Sequence, residues 1–247
     1  MKPRTTNALS ALAIMASAAA IGAAQTSAPL PSADDVAARM MEFDAQRQAQ
    51  MTGYTALRHY FAVNKKRHAN MFVQVTCDSD GVKQFDVVSE QGSGSIRKHV
   101  FHKLLNEETE ASRRGMRSST RITPANYDFQ IVGQETVETG PAYVLQVSPK
   151  TENKYLIRGK IWVDSNDYSI VRIEGQPARN PSFWVRSVHF VHTYQKVGPF
   201  WFASSTHTTS EIRIFGKSEL TIENSGYALV PAKDRAAESE SQARLVP

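Results

Sequence analysis

The sequence predicts a mainly β (α+β) protein, built on one curled antiparallel sheet of about ten strands with one or two helices laid into its concave side. Three observations predict it. From Tyr54 onward short β-rich runs follow one another almost without interruption. Most of their connections are a few residues long, which suits antiparallel neighbours and not parallel crossovers. Many of the runs carry apolar side chains on both faces, so both sides of the sheet must be at least partly covered. Ten strands in one sheet must also curl strongly, close, or split into two layers.

The first 28 of the 247 residues stand apart. Lys2 and Arg4 form a basic start, an uncharged Ala-rich run extends from Ala8 to Ala24, and small residues offer cleavage after Ala24 or Ala28. That order is the pattern of a secretory signal peptide, so residues 1–28 are expected to be removed on export. Pro29 and Pro31 follow a run that is short and weakly apolar for a membrane anchor. Removing Lys2 and Arg4 takes the formal charge from +5 to +3, too mild to argue for nucleic acid and at most compatible with anionic lipid surfaces. The only cysteine is Cys77, so no internal disulfide is available and an ordinary core must supply stability. No cysteine near the cleavage region offers a lipid anchor, and with no later apolar run long enough to cross a bilayer as a helix the exported protein is expected to be soluble.

Helix and strand signals then follow in order. Ser32 to Met51 reads as a helix capped by Ser32, with Asp34 and Asp35 at its positive end and Val36, Met40 and Phe43 at helical spacing. "YTALRHYFAV", "ANMFVQVTC" and "VKQFDVVSE" are three strands, the last two joined by an Asp80-Gly81 hairpin signal. "QGSGSIR" is expected to break the sheet at Gly92 and Gly94. A helix over Val100 to Arg114 follows, with Phe101, Leu104 and Leu105 on one side and the charged piece "RRGMRSSTRITP" after it. Flexible connectors around an apolar-faced helix suit either a movable cover or a plain packing helix. Seven further runs, "YDFQIVGQETV", "AYVLQVSP", "KYLIRGKIWVD", "YSIVRIEG", "FWVRSVHFVHTYQKV", "FWFASSTHTTS" and "IRIFGKSELTIE", complete the strands. With no interior linker, residues 29–230 are expected to form one domain, and the polar stretch 231–247 a disordered tail.

Face assignment is ambiguous in these strands. One face of residues 155–163 holds Tyr155, Ile157, Ile161 and Val163, while the other holds Leu156, Arg158, Lys160 and Trp162. Only "KSELTIEN" alternates cleanly. Whether the space under the helices is packed or hollow does not follow from alternation.

"NYDFQIVGQETV", "GPAYVLQVSPK", "KYLIRGKIWVD", "DYSIVRIEG" and "ARNPSFW" resemble the outer-membrane lipoprotein-sorting protein family, relatives of the carrier LolA within the superfamily that includes the sensor RseB. The resemblance spans about residues 34 to 227, is strongest from Asn126 to Trp184, and points to an uncharacterised branch. It implies an incomplete barrel of about ten to eleven strands, closed by helices over an apolar cavity for acyl chains. It implies as partners an acylated ligand, lipoprotein or lipid, and membrane-bound donor and acceptor proteins, and a role in outer-membrane biogenesis. Trp162, Trp184, Phe190 and Trp201 are the candidate cavity wall; Phe101, Leu104 and Leu105 are the candidate lid face. The carrier's lid arginine has no assignable counterpart here, and Arg113, Arg114 and Arg117 receive no gating role. A monomer is expected.

Other chemistries fit less well. "GKS" at 216–218 lacks the upstream glycine of a phosphate loop, and there is no G-x-S-x-G or H-E-x-x-H. His189 and His192 lie three apart on a strand and face opposite ways. No catalytic residue, metal or cofactor is assigned. An enzyme acting on a bound lipid and an envelope sensor of the same fold remain as alternative readings. A transmembrane barrel is excluded because Arg158, Lys160, Arg172, Arg186, Glu211 and Arg213 interrupt both strand faces.

Overall fold

The structure, a computed structural model, describes residues 29–214 and 216–231. The expected signal peptide and all of the expected tail except Pro231 lie outside the described residues. Ser32 caps the first helix, α1 (Ala33–Gln50), accepting a hydrogen bond from the Asp35 amide at 3.1 Å. Val36 and Met40 are buried as their spacing predicts, and Phe43 sits 5.5 Å from the Tyr168 ring.

Ten strands follow the predicted runs: β1 (Tyr54–Asn64), β2 (Arg67–Cys77), β3 (Lys83–Gly92), β4 (Tyr127–Val137), β5 (Gly140–Pro149), β6 (Ile157–Asp164), β7 (Ile170–Pro177), β8 (Val185–Val197), β9 (Phe200–Ile212) and β10 (Gly216–Leu229). They form one antiparallel sheet in the order β3-β2-β1-β10-β9-β8-β7-β6-β5-β4, which is not closed into a barrel. The run "IRIFGKSELTIE" is not a single strand. Ile212 ends β9, and Gly216, at φ +71°, opens β10 after a tight turn.

Between β3 and β4 lies a helical segment: α2 (Gly94–Ile96), a π-helical turn (Arg97–Phe101), α3 (His102–Ser112) and α4 (Arg114–Thr120). The helix therefore begins within the expected break, six residues before Val100. Ile96, Val100, Phe101, Leu104 and Leu105 continue the helical apolar spacing backwards, and all five pack into one cluster with Tyr60, Met71 and Val73. Glu90 on β3 anchors the start of this segment, accepting from Arg97 at 2.6 Å and pairing with His102 at 2.9 Å.

The core has three parts. Under α1, Val36 and Met40 pack against Leu145, Val147, Ile161, Val163 and Ile173 of β5–β7. Under α3, Phe101 and Leu105 pack on β1 and β2. On the opposite, convex face, Ala142, Val144, Trp162 and Val171 form a small cluster of their own. Trp162 therefore shares a face with Arg158 and Lys160 but not with the helices. Its ring lies 4.7 Å from the Arg172 guanidinium, and its indole N–H donates to Glu135 at 2.8 Å.

Where β6 crosses β7, Gly159 and Gly175 face each other. A Cβ on Gly159 would stand 2.1 Å from the Glu174 carbonyl oxygen and 2.6 Å from Gly175 Cα, so the absence of side chains is what allows the two backbones to meet. Gly159→Ala is expected to destabilise the protein by about 2 kcal/mol through backbone displacement. Urea unfolding should show a lower midpoint at unchanged slope.

Candidate functional site

Between the α1-covered and α3-covered parts of the core the interior is not filled. A cavity of about 650 Å³ lies there, within the usual size range of small-molecule sites. Residues as far apart in the sheet as Lys83 of β3 and Ile173 of β7 line it. A flat sheet would place those strands, six steps apart, about 29 Å from each other. The sheet must therefore bend round the void.

The walls are mostly apolar and aromatic. Met40, Met41 and Met51 come from α1 and its end, Ile122 from the α4–β4 link, and Phe200, Phe202 and Tyr227 from β9 and β10. Tyr54, Phe202 and Tyr227 form an aromatic group, with Phe202 stacked on Tyr227 at 4.6 Å and tilted against Tyr54 at 4.7 Å. Gly81, Tyr168, Ser169 and Phe200 also contribute, so the cavity reaches the end of the sheet formed by the β2–β3, β6–β7 and β8–β9 connections.

Two groups of charges line the cavity, Asp44, Arg47 and Arg121 beside α1 and Arg58, Lys83 and Glu108 beside α3. Glu108 of α3 receives Arg58 Nη1 at 2.6 Å, Arg58 Nη2 at 3.3 Å and Lys83 Nζ at 2.7 Å. Arg58 also donates to Asn224 at 2.7 Å and to the Tyr60 hydroxyl at 3.1 Å, so its guanidinium is well partnered despite deep burial. Lys83 and Glu108 keep side-chain exposures of 28% and 31% because the cavity admits solvent to them. Burial alone would raise the Glu108 carboxyl, but Lys83 and Arg58 outweigh it and hold the group at about 2. Burial opposes the charge on Arg58 and Lys83 as well, yet Glu108 raises both above their ordinary values. A second tie runs from the Lys83 amide to Ser112 Oγ at 3.0 Å. On the other flank Lys154, before β6, reaches Glu107 at 3.0 Å. Thus α3 bridges the two halves of the bent sheet. α1 is held separately, by Arg47 donating to the Asp167 carbonyl at 3.0 Å and by an Arg121–Asp44 ion pair.

His192 lies on the cavity wall, and its Nδ1 is 2.5 Å from Thr206 Oγ1. Burial, aided by Lys83, lowers its pKa from 6.5 to about 4. The folded state therefore binds fewer protons than the unfolded chain between those values. Unfolding free energy should fall as the pH drops from about 6.5 to 4, by at most about 1.4 kcal/mol per pH unit for one group. Glu108 adds a second loss from about pH 4.5 down to 2. Denaturant titrations across this range should show the first loss disappear in His192→Gln and the second persist.

The four wall candidates do not come together. Trp201 lines the cavity at its rim, donating from its indole to Asp167 at 2.8 Å and also touching the convex cluster. Phe190 packs half-buried against the core under α1. Trp162 is on the convex face beside a shallow groove with His189, and Trp184 is exposed at a connection. Of the lid candidates, Phe101 and Leu105 are buried against β1 and β2, with Leu104 half-buried beside them. Sequence reading missed Arg58, Lys83, Glu108 and the Tyr54–Phe202–Tyr227 group. The one available signal was an acidic residue on the suspected lid.

No protein-family model matches the chain, and no curated protein matches it. Solved structures similar to it include a DUF1329 family protein from Desulfovibrio piger, 14% identical, TM-score 0.44, covering 82% of this chain and 95% of that one. Another is the LolA superfamily protein NE2245 from Nitrosomonas europaea, 9% identical, TM-score 0.40, covering 83% and 97%. A third is a putative outer membrane lipoprotein-sorting protein domain from Vibrio parahaemolyticus, 12% identical, TM-score 0.39, covering 80% and 96%. Among the described residues no helix is long and apolar enough to cross a membrane, and no group of three or more His, Cys, Asp or Glu is placed to hold a metal.

Proposed function

We propose that this chain is a non-catalytic periplasmic binding protein that carries acyl chains of a lipid or lipoprotein in the cavity beneath α1 and α3. The observation that carries this reading is an unfilled, largely apolar space whose cover is fastened beside the void by ions. Each methylene moved from water into such a space contributes about 0.8 kcal/mol, so a single chain binds reversibly and several are retained. An apolar seal would tie release to the same force that holds the ligand. The Glu108 latch separates the two, because opening it exposes charges that water solvates well. Those charges are poorly suited to catalysis: a carboxylate neutralised by two cations is a weak base.

Denaturing extraction and mass spectrometry of protein purified from its native envelope should release a lipid or acylated peptide. A fluorescent fatty acid should bind to the delipidated protein and be displaced by that extract. Empty protein that takes up no fatty acid would remove the reading. Gene deletion should leave lipoproteins stranded in the inner membrane if the chain is a carrier; an altered stress response with normal lipoprotein sorting would make it a sensor.

A further inference from the structure

At the end of the sheet away from the β2–β3, β6–β7 and β8–β9 connections, three neighbouring connections carry a different chemistry. These are β1–β2, β7–β8 and β9–β10, brought together by the pairing of β1 with β10, β10 with β9 and β9 with β8. Phe183, Trp184 and Ile214 project there at 74%, 54% and 62% exposure. Phe183 and Trp184 are held in place by Arg213 and not by burial. The Arg213 amide donates to the Trp184 carbonyl at 2.9 Å, its Nε donates to the Phe183 carbonyl at 2.8 Å, and its guanidinium lies 4.7 Å from the Phe183 ring.

Bases surround these apolar tips. Lys65, Lys66, Arg179 and Arg213 lie in the three connections, which contain no Asp or Glu, while Arg67 opens β2 and Arg186 is the second residue of β8. All six are exposed, and none forms an ion pair among the described residues. The nearest acids along these strands are Glu211 and Glu219, and Glu219 is paired with Lys217 at 2.6 Å. The connections at the opposite end carry Asp78, Asp80, Glu138 and Asp167 and no Lys or Arg. Lys65 adds a second indication. It occupies a two-residue hairpin turn at φ +52°, a position that Gly or Asn fills with less strain. A lysine there sacrifices turn stability for a charge at the tip.

We propose that this end of the molecule docks on an anionic lipid bilayer. The six bases meet phosphate groups while Phe183, Trp184 and Ile214 enter the headgroup–acyl boundary, where an aromatic ring with a polar edge is favoured. Exposed rings and bases at the tips of connections suit a deformable lipid interface better than a folded partner.

Sedimentation of the intact protein with vesicles tests this. Binding to vesicles containing phosphatidylglycerol is expected, with little on pure phosphatidylcholine and a loss in high salt. Lys65→Asn should weaken binding about fivefold while leaving stability equal or higher. Phe183→Ser with Trp184→Ser should weaken it tenfold or more. A blue shift of tryptophan emission on binding should persist in Trp162→Phe and vanish in Trp184→Phe. Absence of binding, equal binding to both vesicle types, or unaffected variants would overturn the proposal. So would self-association, or capture of an acidic polypeptide without vesicle binding, through the same residues.

Discussion

Glu108→Gln is expected to lower folding stability by about 3 kcal/mol and to loosen α3 from the sheet. Removing one partner of a buried ion pair costs about 3–5 kcal/mol because the other charge is left unpaired, and the partial solvent access of Glu108 places the effect at the lower end. Glutamine can still accept a hydrogen bond, but it cannot neutralise Arg58 and Lys83 together. Arg58 suffers most, being deeply buried with only Asn224 and Tyr60 left as neutral partners. Urea unfolding gives the stability, and hydrogen exchange should rise across His102–Ser112 before it rises in β5–β7. Adding Arg58→Met, which removes the stranded cation, should recover part of the loss. If Glu108→Gln changes stability by less than about 0.5 kcal/mol, the ordinary range for an exposed surface site, Glu108 is no latch.

Phe101→Ala is expected to have the largest effect of the substitutions considered, about 4 kcal/mol. The ring is fully buried, 5.6 Å from Tyr60, and fixes the start of α3 on β1 and β2. Alanine would leave a hole that the π-helical turn could fill only by shifting α3 along the sheet. Leu104→Ala, at a half-buried position next to it, should cost about 1 kcal/mol. The two unfolding curves, measured side by side, distinguish an anchoring residue from a neighbouring one. Phe101→Ala should also reduce fatty-acid retention if the cover sets the release rate.

The strands were legible because each β-rich run is bounded by turn residues, as Asp80-Gly81 and Gly198-Pro199 show. Their inward faces were less so. In β1 the parity carrying Leu57, Phe61 and Val63 looks the more apolar, yet the structure buries Ala56, Arg58, Tyr60 and Ala62. Small residues there let the helices approach, and an arginine on the same parity reads as a mark of the solvent face until its partners are known. Those partners are 50 and 166 residues away, a separation that no local pattern encodes. Bulges add a further obstacle. The register shift between Val185 and Ser187 leaves Arg186 as an extra residue in β8, so counting back from Phe190 does not place Trp184. Trp162 was misleading for another reason. Bulk suggested a cavity wall, whereas its neighbours Ala142, Val144 and Val171 give the convex face an apolar cluster of its own.

The location of the cavity near the acid-bearing connections has a consequence for traffic. β1 is 11 residues long, so about 35 Å separates one end of the sheet from the other. A molecule moored by its lysine and tryptophan tips would hold the cavity end of the sheet far beyond the headgroups, facing the aqueous space. Hydrocarbon could not slide straight from that bilayer into the protein. Loading or delivery in the moored posture would require a visitor arriving from the water side, and direct exchange with lipid would require the molecule to let go and turn over.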